Sequence, residues 1–131
     1  MQTKSQRMAQ AAYARVKSHT PVSVEYRSFA REFPTLVHTC GLAQAMAFAL
    51  AKKDAKQSDN GPQYSYAHDL GQVLGFSNPE QLAKETRDAN VSGDLRLSRD
   101  ALAAAVWLKR YVEALAEDGG KTYTALQTQG A

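Results

Sequence analysis

His19, His38, His68 and Cys40 are the side chains in this sequence best suited to hold a transition metal or to attack a substrate. A helix that binds a metal places two such ligands at i and i+3 or i+4, on one face. The three histidines fall on three different segments, none with a second His, Cys or carboxylate at that spacing. Cys40 and His38 are two residues apart, which turns them to different sides of a helix, so Cys40 reads as a small buried residue. Asp59-Asn60-Gly61 has the look of a calcium loop, but with Gly61 as the sixth position the first is Lys56 and the twelfth Ala67, neither able to do its part. Gly71 and Gly75 follow no strand and precede no Gly-Lys-Ser/Thr, so they do not form a phosphate loop. The expectation is no catalytic residue, no metal and no cofactor.

Cations offer a different chemistry. Residues 1–31 hold Lys4, Arg7, Arg15, Lys17, Arg27 and Arg31 against Glu25 alone, a local charge of +5 in a chain whose total is +3, which leaves −2 for the rest. Clustered positive charge suits a phosphate-bearing or acidic partner, and a solvated helix face accounts for it equally well.

These side chains need helices to position them. The 131 residues, 44% hydrophobic and 22% charged, suffice for one folded domain with its own core. No stretch alternates like a strand, and the one Asn-Gly lies in the polar segment KKDAKQSDNGPQ, which reads as a loop. The opening MQTKSQRMAQ lacks the apolar core of a signal peptide, and ALAAAVWL is too short to cross a bilayer. With a single cysteine, these features point to a cytoplasmic protein with no membrane association.

The pattern predicts an all-α bundle of about five to six helices in one domain, residues 1–117, followed by a disordered tail over 118–131. A first helix spans about Ser5 to Ser18, with Lys4, Arg7 and Arg15 on one side and Ala9, Tyr13 and Val16 on another. A second is capped by Ser23, carries Arg27 and Arg31 on one face and ends at Pro34. A bent helix pair follows, interrupted near Gly41, with Leu42, Met46, Ala49 and Leu50 as its seam. Tyr66, Leu70, Val73 and Leu74 mark another helix closed by Gly75, and Asn78-Pro79 starts a short one.

The last helix is read from Ser98 to about Glu117, with Asp100 near its positive end. Ala101, Ala104, Ala105, Leu108, Tyr111, Val112 and Leu115 form its core arc, with Trp107 and Ala114 at the edge. Lys109, Arg110 and Glu113 lie opposite, beside Leu102 and Val106, which a purely solvated face does not require. Either another helix of the domain or a partner subunit covers that second side.

Two segments carry a family resemblance: EYRSFAREFPTLVHTCGLAQAMAF, residues 25–48, and LRLSRDALAAAVWLKRYVEAL about fifty residues later. The order and spacing of Tyr26, Arg27-Ser28, Phe33-Pro34, Gly41-Leu42-x-Gln44-Ala45 and Trp107-Leu108-Lys109-Arg110 resemble the small subunit of the type III-B CRISPR effector, the Cmr complex, over residues 8–116. The chain departs from that pattern at Leu95, where an aromatic is expected, and at Asp100, where a glutamate is expected. The resemblance implies an all-helical, non-catalytic subunit, several copies of which stack beside the crRNA-bearing backbone subunits and help hold the duplex of crRNA and target RNA. On that basis the expected RNA contacts are Arg27, Arg31, Lys109 and Arg110, then Lys4, Arg7, Arg15 and Lys17, while Tyr26 and Gln44 serve packing or subunit contact. Each cation also has a structural use within reach: Arg110 can stack on Trp107, and Lys109 can pair with Glu113. A free-standing helical interaction module and a small ribonuclease using the histidines are the competing readings.

Overall fold

Six α-helices make up the described part of the computed structural model, residues 2–51 and 61–130, with side chains described as far as Leu115 on the last helix. In order they are α1 (Lys4–Ser18), α2 (Val24–Cys40), α3 (Leu42–Ala51), α4 (Pro62–Leu74), α5 (Pro79–Asp88) and α6 (Val91–Gly130). The all-α bundle is the expected class. Most of the loop KKDAKQSDNGPQ, and the tail expected over 118–131, lie outside the fully described residues.

Local side-chain chemistry sets the helix ends. Thr3 and Gln6 form a reciprocal capping box on α1, the Gln6 N–H donating to Thr3 Oγ1 at 3.0 Å and the Thr3 N–H to Gln6 Oε1 at 2.8 Å. Ser23 caps α2 and Asn78 caps α5, with Pro79 at its first position, as the sequence indicates. Gly75 closes α4 in the left-handed conformation at φ 93°, and the Phe76 N–H reaches back to the Gly71 carbonyl at 2.7 Å.

Three boundaries differ from the expected ones, the simplest being the end of α6 at Gly130 rather than near Glu117. α2 does not end at Pro34 but runs through it to Cys40, where Gly41 at φ 84° breaks the path. Phe29, Phe33 and Val37 on either side of Pro34 are buried, and their packing outweighs the roughly 3 kcal/mol that a proline costs a helix interior. Pro34→Ala is therefore expected to stabilise the protein by about 1–2 kcal/mol, seen as a higher urea midpoint; restoring the N–H bond to Ala30 is partly offset by a more flexible unfolded chain. α6 begins at Val91 rather than Ser98, because Asn90 is the cap: its Oδ1 accepts from the Gly93 N–H at 2.8 Å. Asp100 consequently sits well inside α6 rather than at its positive end.

The core joins all six helices. α4 packs against each of the other five, and its buried residues Tyr66, Ala67, Asp69, Leu70 and Gly71 wrap more than half of its circumference. α4 is thus the central helix, while α6 packs chiefly on α1, α2 and α4 through Ala101, Ala104, Ala105, Leu108 and Val112. Three alanines on that face let neighbouring backbones come close. Leu102 is half-buried against the core and Val106 half-buried, so the domain covers part of the second side of α6.

The inward face of α1 is Met8, Ala12 and Val16; Ala9 is half-buried and Tyr13 exposed. Of the residues placed away from the cations, only Val16 is fully buried, because the alanines around the stripe blur its direction. Cys40 is half-buried at the end of α2 rather than fully enclosed.

Candidate nucleic-acid interface

The eight cations singled out from the sequence come to rest in distinct environments. Arg15, on the last turns of α1, points at α4: its Nε donates to Asp69 Oδ1 at 2.9 Å. Asp69 is fully buried and also accepts a short hydrogen bond from the Tyr26 hydroxyl of α2. His19 Nε2 comes within 2.7 Å of Asp69 Oδ2 but lies off the hydrogen-bond direction. One carboxylate therefore ties α1 and α2 to the central helix. Burial, reinforced by the Asp69 charge, raises the Tyr26 hydroxyl far above the ordinary tyrosine range and keeps it a proton donor. Arg15 is committed to holding the fold together.

Lys4 is likewise paired, its Nζ 2.8 Å from Asp100 of α6. That contact and the packing of Tyr13 on Tyr111 show that α1 and α6 run side by side in the same direction. Arg7 is exposed and Arg27 half-buried, and neither has an ion-pair partner among the described residues. Arg31 meets Glu113 at 3.7 Å, a loose contact between exposed side chains worth well under about 1 kcal/mol. Arg31, Lys109 and Glu113 line an open cleft of about 350 Å³ with Ser28 and Glu32, so two cations from different helices meet there between carboxylates. Arg110 lies over Trp107 at 5.5 Å and Lys17 over Tyr13 at 5.5 Å. The cations are spread over several faces and do not converge on one groove.

Further cations were missed, among them Arg87 on α5, which is exposed. Arg96 and Arg99 are exposed on α6 with no ion-pair partner among the described residues. Arg99 lies three turns before Arg110 on nearly the same side of the helix. Starting α6 at Ser98 left Arg96 outside the helix and Arg99 at its edge, which concealed their register with Arg110. Among the described residues, no group of three or more His, Cys, Asp or Glu side chains comes together as a metal site, and no helix is long and apolar enough to cross a membrane.

These features define a small all-helical protein with a cationic exterior and a core organised around one buried carboxylate. Residues 4–115 match the family model described as CRISPR-associated protein (Cas_Cmr5), and the chain belongs to that family. It is 40% identical over 121 residues to the CRISPR system Cmr subunit Cmr5 of Thermus thermophilus, covering 90% of this chain and all of that one. The X-ray crystal structure of a CRISPR-associated Cmr5 family protein from the same organism superposes with a TM-score of 0.76 at 38% identity, over 88% of this chain and 98% of that chain. The resemblance read from residues 8–116 is the family shown by all three comparisons.

Proposed function

We propose that this chain is a cytoplasmic, non-catalytic small subunit of a type III-B Cmr effector in antiviral defence. Several copies stack beside the backbone subunits and support the duplex of crRNA and target RNA. The observation that carries this reading is family membership across nearly the whole folded part of the chain. The surface is compatible with the work: Arg7, Arg27, Arg96 and Arg99 make no ion pair among the described residues, although Arg96 shares a cleft with Glu85, Asp88 and Asp100, and Arg31 and Lys109 share another.

Phosphate contact then falls mainly to Arg7, Arg27, Arg31, Arg96, Arg99, Lys109, Arg110 and Lys17. Lys4 and Arg15, each held by an aspartate, take the smallest share. Such contacts are additive and read backbone rather than sequence, so one copy alone binds RNA weakly, roughly 10⁻⁴ to 10⁻⁶ M at physiological salt. Stacked copies act together because each next contact is made at high local concentration, and specificity rests with base pairing between guide and target.

The test is reconstitution of the effector with and without this subunit, scored by target RNA binding. Loss of binding on omission, restored by the parent chain and less well by a variant with Arg27, Arg96 and Arg99 changed to alanine, is the expected outcome. That variant should also flatten the salt dependence, by about one unit of log–log slope for each phosphate it no longer neutralises. Normal target binding without the subunit would overturn the proposal.

A further inference from the structure

Across the junction of α1 and α6, five side chains form a continuous series, of which Trp107 and Tyr111 also pack against the core. Arg110 lies over the Trp107 ring at 5.5 Å; Trp107 stacks on Tyr111 with centroids 5.8 Å apart and planes at 18°. Tyr111 meets Tyr13 edge-on at 5.3 Å, and Lys17 closes the series over Tyr13 at 5.5 Å while its ammonium donates to the tyrosine hydroxyl at 3.3 Å. Cations stand at both ends and aromatic rings between. Tyr13 is 39% exposed, and Trp107 and Tyr111 are half-buried. The rings pack with one part of their surface and leave the rest open to water, where an aromatic π-face can be offered.

Resting on the RNA-binding reading above, we infer that this ladder is a stacking site for unpaired nucleobases of single-stranded RNA, with Lys17 and Arg110 holding the flanking phosphates. The charge pattern selects this occupant. Each base has a π-face and carries an anionic link on both sides, which matches rings bracketed by cations. In a duplex the bases are already stacked on one another, so their faces are closed to the ladder. Stacking of this kind tolerates any sequence, in keeping with a subunit that leaves sequence recognition to base pairing. Lys17 and Arg110 thereby act as strand clamps whose side chains the aromatic neighbours keep in place.

Trp107 is the only tryptophan of the chain and reports directly on the site. The full chain is titrated with a single-stranded oligoribonucleotide about ten nucleotides long, with an abasic strand of the same length and with the corresponding duplex. Quenching of Trp107 fluorescence by the single strand, with little change from the abasic strand or the duplex, is the expected result. Tyr13→Ala, at a surface position, should weaken single-strand binding about tenfold while leaving duplex binding and the circular dichroism spectrum unchanged. Trp107→Phe should retain binding, measured by anisotropy of a labelled strand. Equal quenching by the abasic strand would reduce the site to charge and overturn the inference. So would a silent tryptophan that responds only when other subunits of the effector are added, which would make the ladder a protein contact. Either failure leaves the reconstitution result above standing, because that depends on duplex support and assembly.

Discussion

Replacing Asp69 with alanine is expected to lower the unfolding free energy by about 3 kcal/mol, measured as a drop in urea midpoint with little change in slope. The carboxylate is fully buried and receives hydrogen bonds from Arg15 and Tyr26, which come from different helices. Its removal leaves the Tyr26 hydroxyl, on a residue only 3% exposed, without a partner, and an unpaired buried hydroxyl costs about 1–3 kcal/mol. Arg15, about one-third exposed, can turn towards water, so its release adds less than a fully enclosed charge would. Asp69→Asn keeps an acceptor in place and should cost clearly less than the alanine. Arg15→Ala is the informative comparison, since it leaves a buried anion with Tyr26 and the misaligned His19 as its remaining neighbours. Equal midpoints for parent and Asp69→Ala would show that the three helices are held by apolar packing alone.

Asp69 also marks where reading the sequence stops. The apolar periodicity around it identified the helix through Tyr66 and Leu70, but the spacing of an isolated aspartate says nothing about which distant arginine it meets. Arg15 lies 54 positions away, and nothing local distinguishes it from Arg7, two turns earlier on the same helix. Charge type was legible and charge commitment was not. For the same reason Lys4, paired with Asp100 across 96 positions, looked as free as Arg27.

Caps were read well where one side chain satisfies a backbone group a few residues on, as at Ser23, Asn78 and Gly75. They were misread where two signals competed. Ser98 precedes the strongest apolar run, yet Asn90 lies before a stretch whose helix is held by its own cap and by half-buried Leu97. Pro34 is a strong breaker in isolation and a weak one between Phe33 and Val37, whose burial depends on residues far along the chain. Local propensity sets a cost of a few kcal/mol, and tertiary packing decides whether it is met. The aromatic ladder escaped detection through the same non-locality. Tyr13 was placed only on the side of the first helix away from its cations and Trp107 at the edge of a core arc, and only the parallel alignment of α1 with α6 brings Tyr13 onto Tyr111.

Whether α6 has one buried side or two is settled by comparing two truncations. Leu108→Ala should cost about 2–5 kcal/mol, because Leu108 is fully buried where α6 meets its neighbours and its removal leaves a cavity on top of the forfeited transfer energy. In a domain whose total stability is roughly 5–15 kcal/mol, that loss is large enough to shift the melting temperature by many degrees. Val106→Ala should cost well under about 1 kcal/mol in the isolated chain, since Val106 is only half-buried and outside the main cluster. The contrast turns on state of assembly. Packing that α6 completes within its own domain is forfeited in full by the free protein, whereas a surface completed by a partner registers only when the partner is present. A comparable loss for both variants in the isolated chain would mean that the second side of α6 is already closed. A loss for Val106→Ala that emerges only in the reconstituted effector would place that side against another subunit.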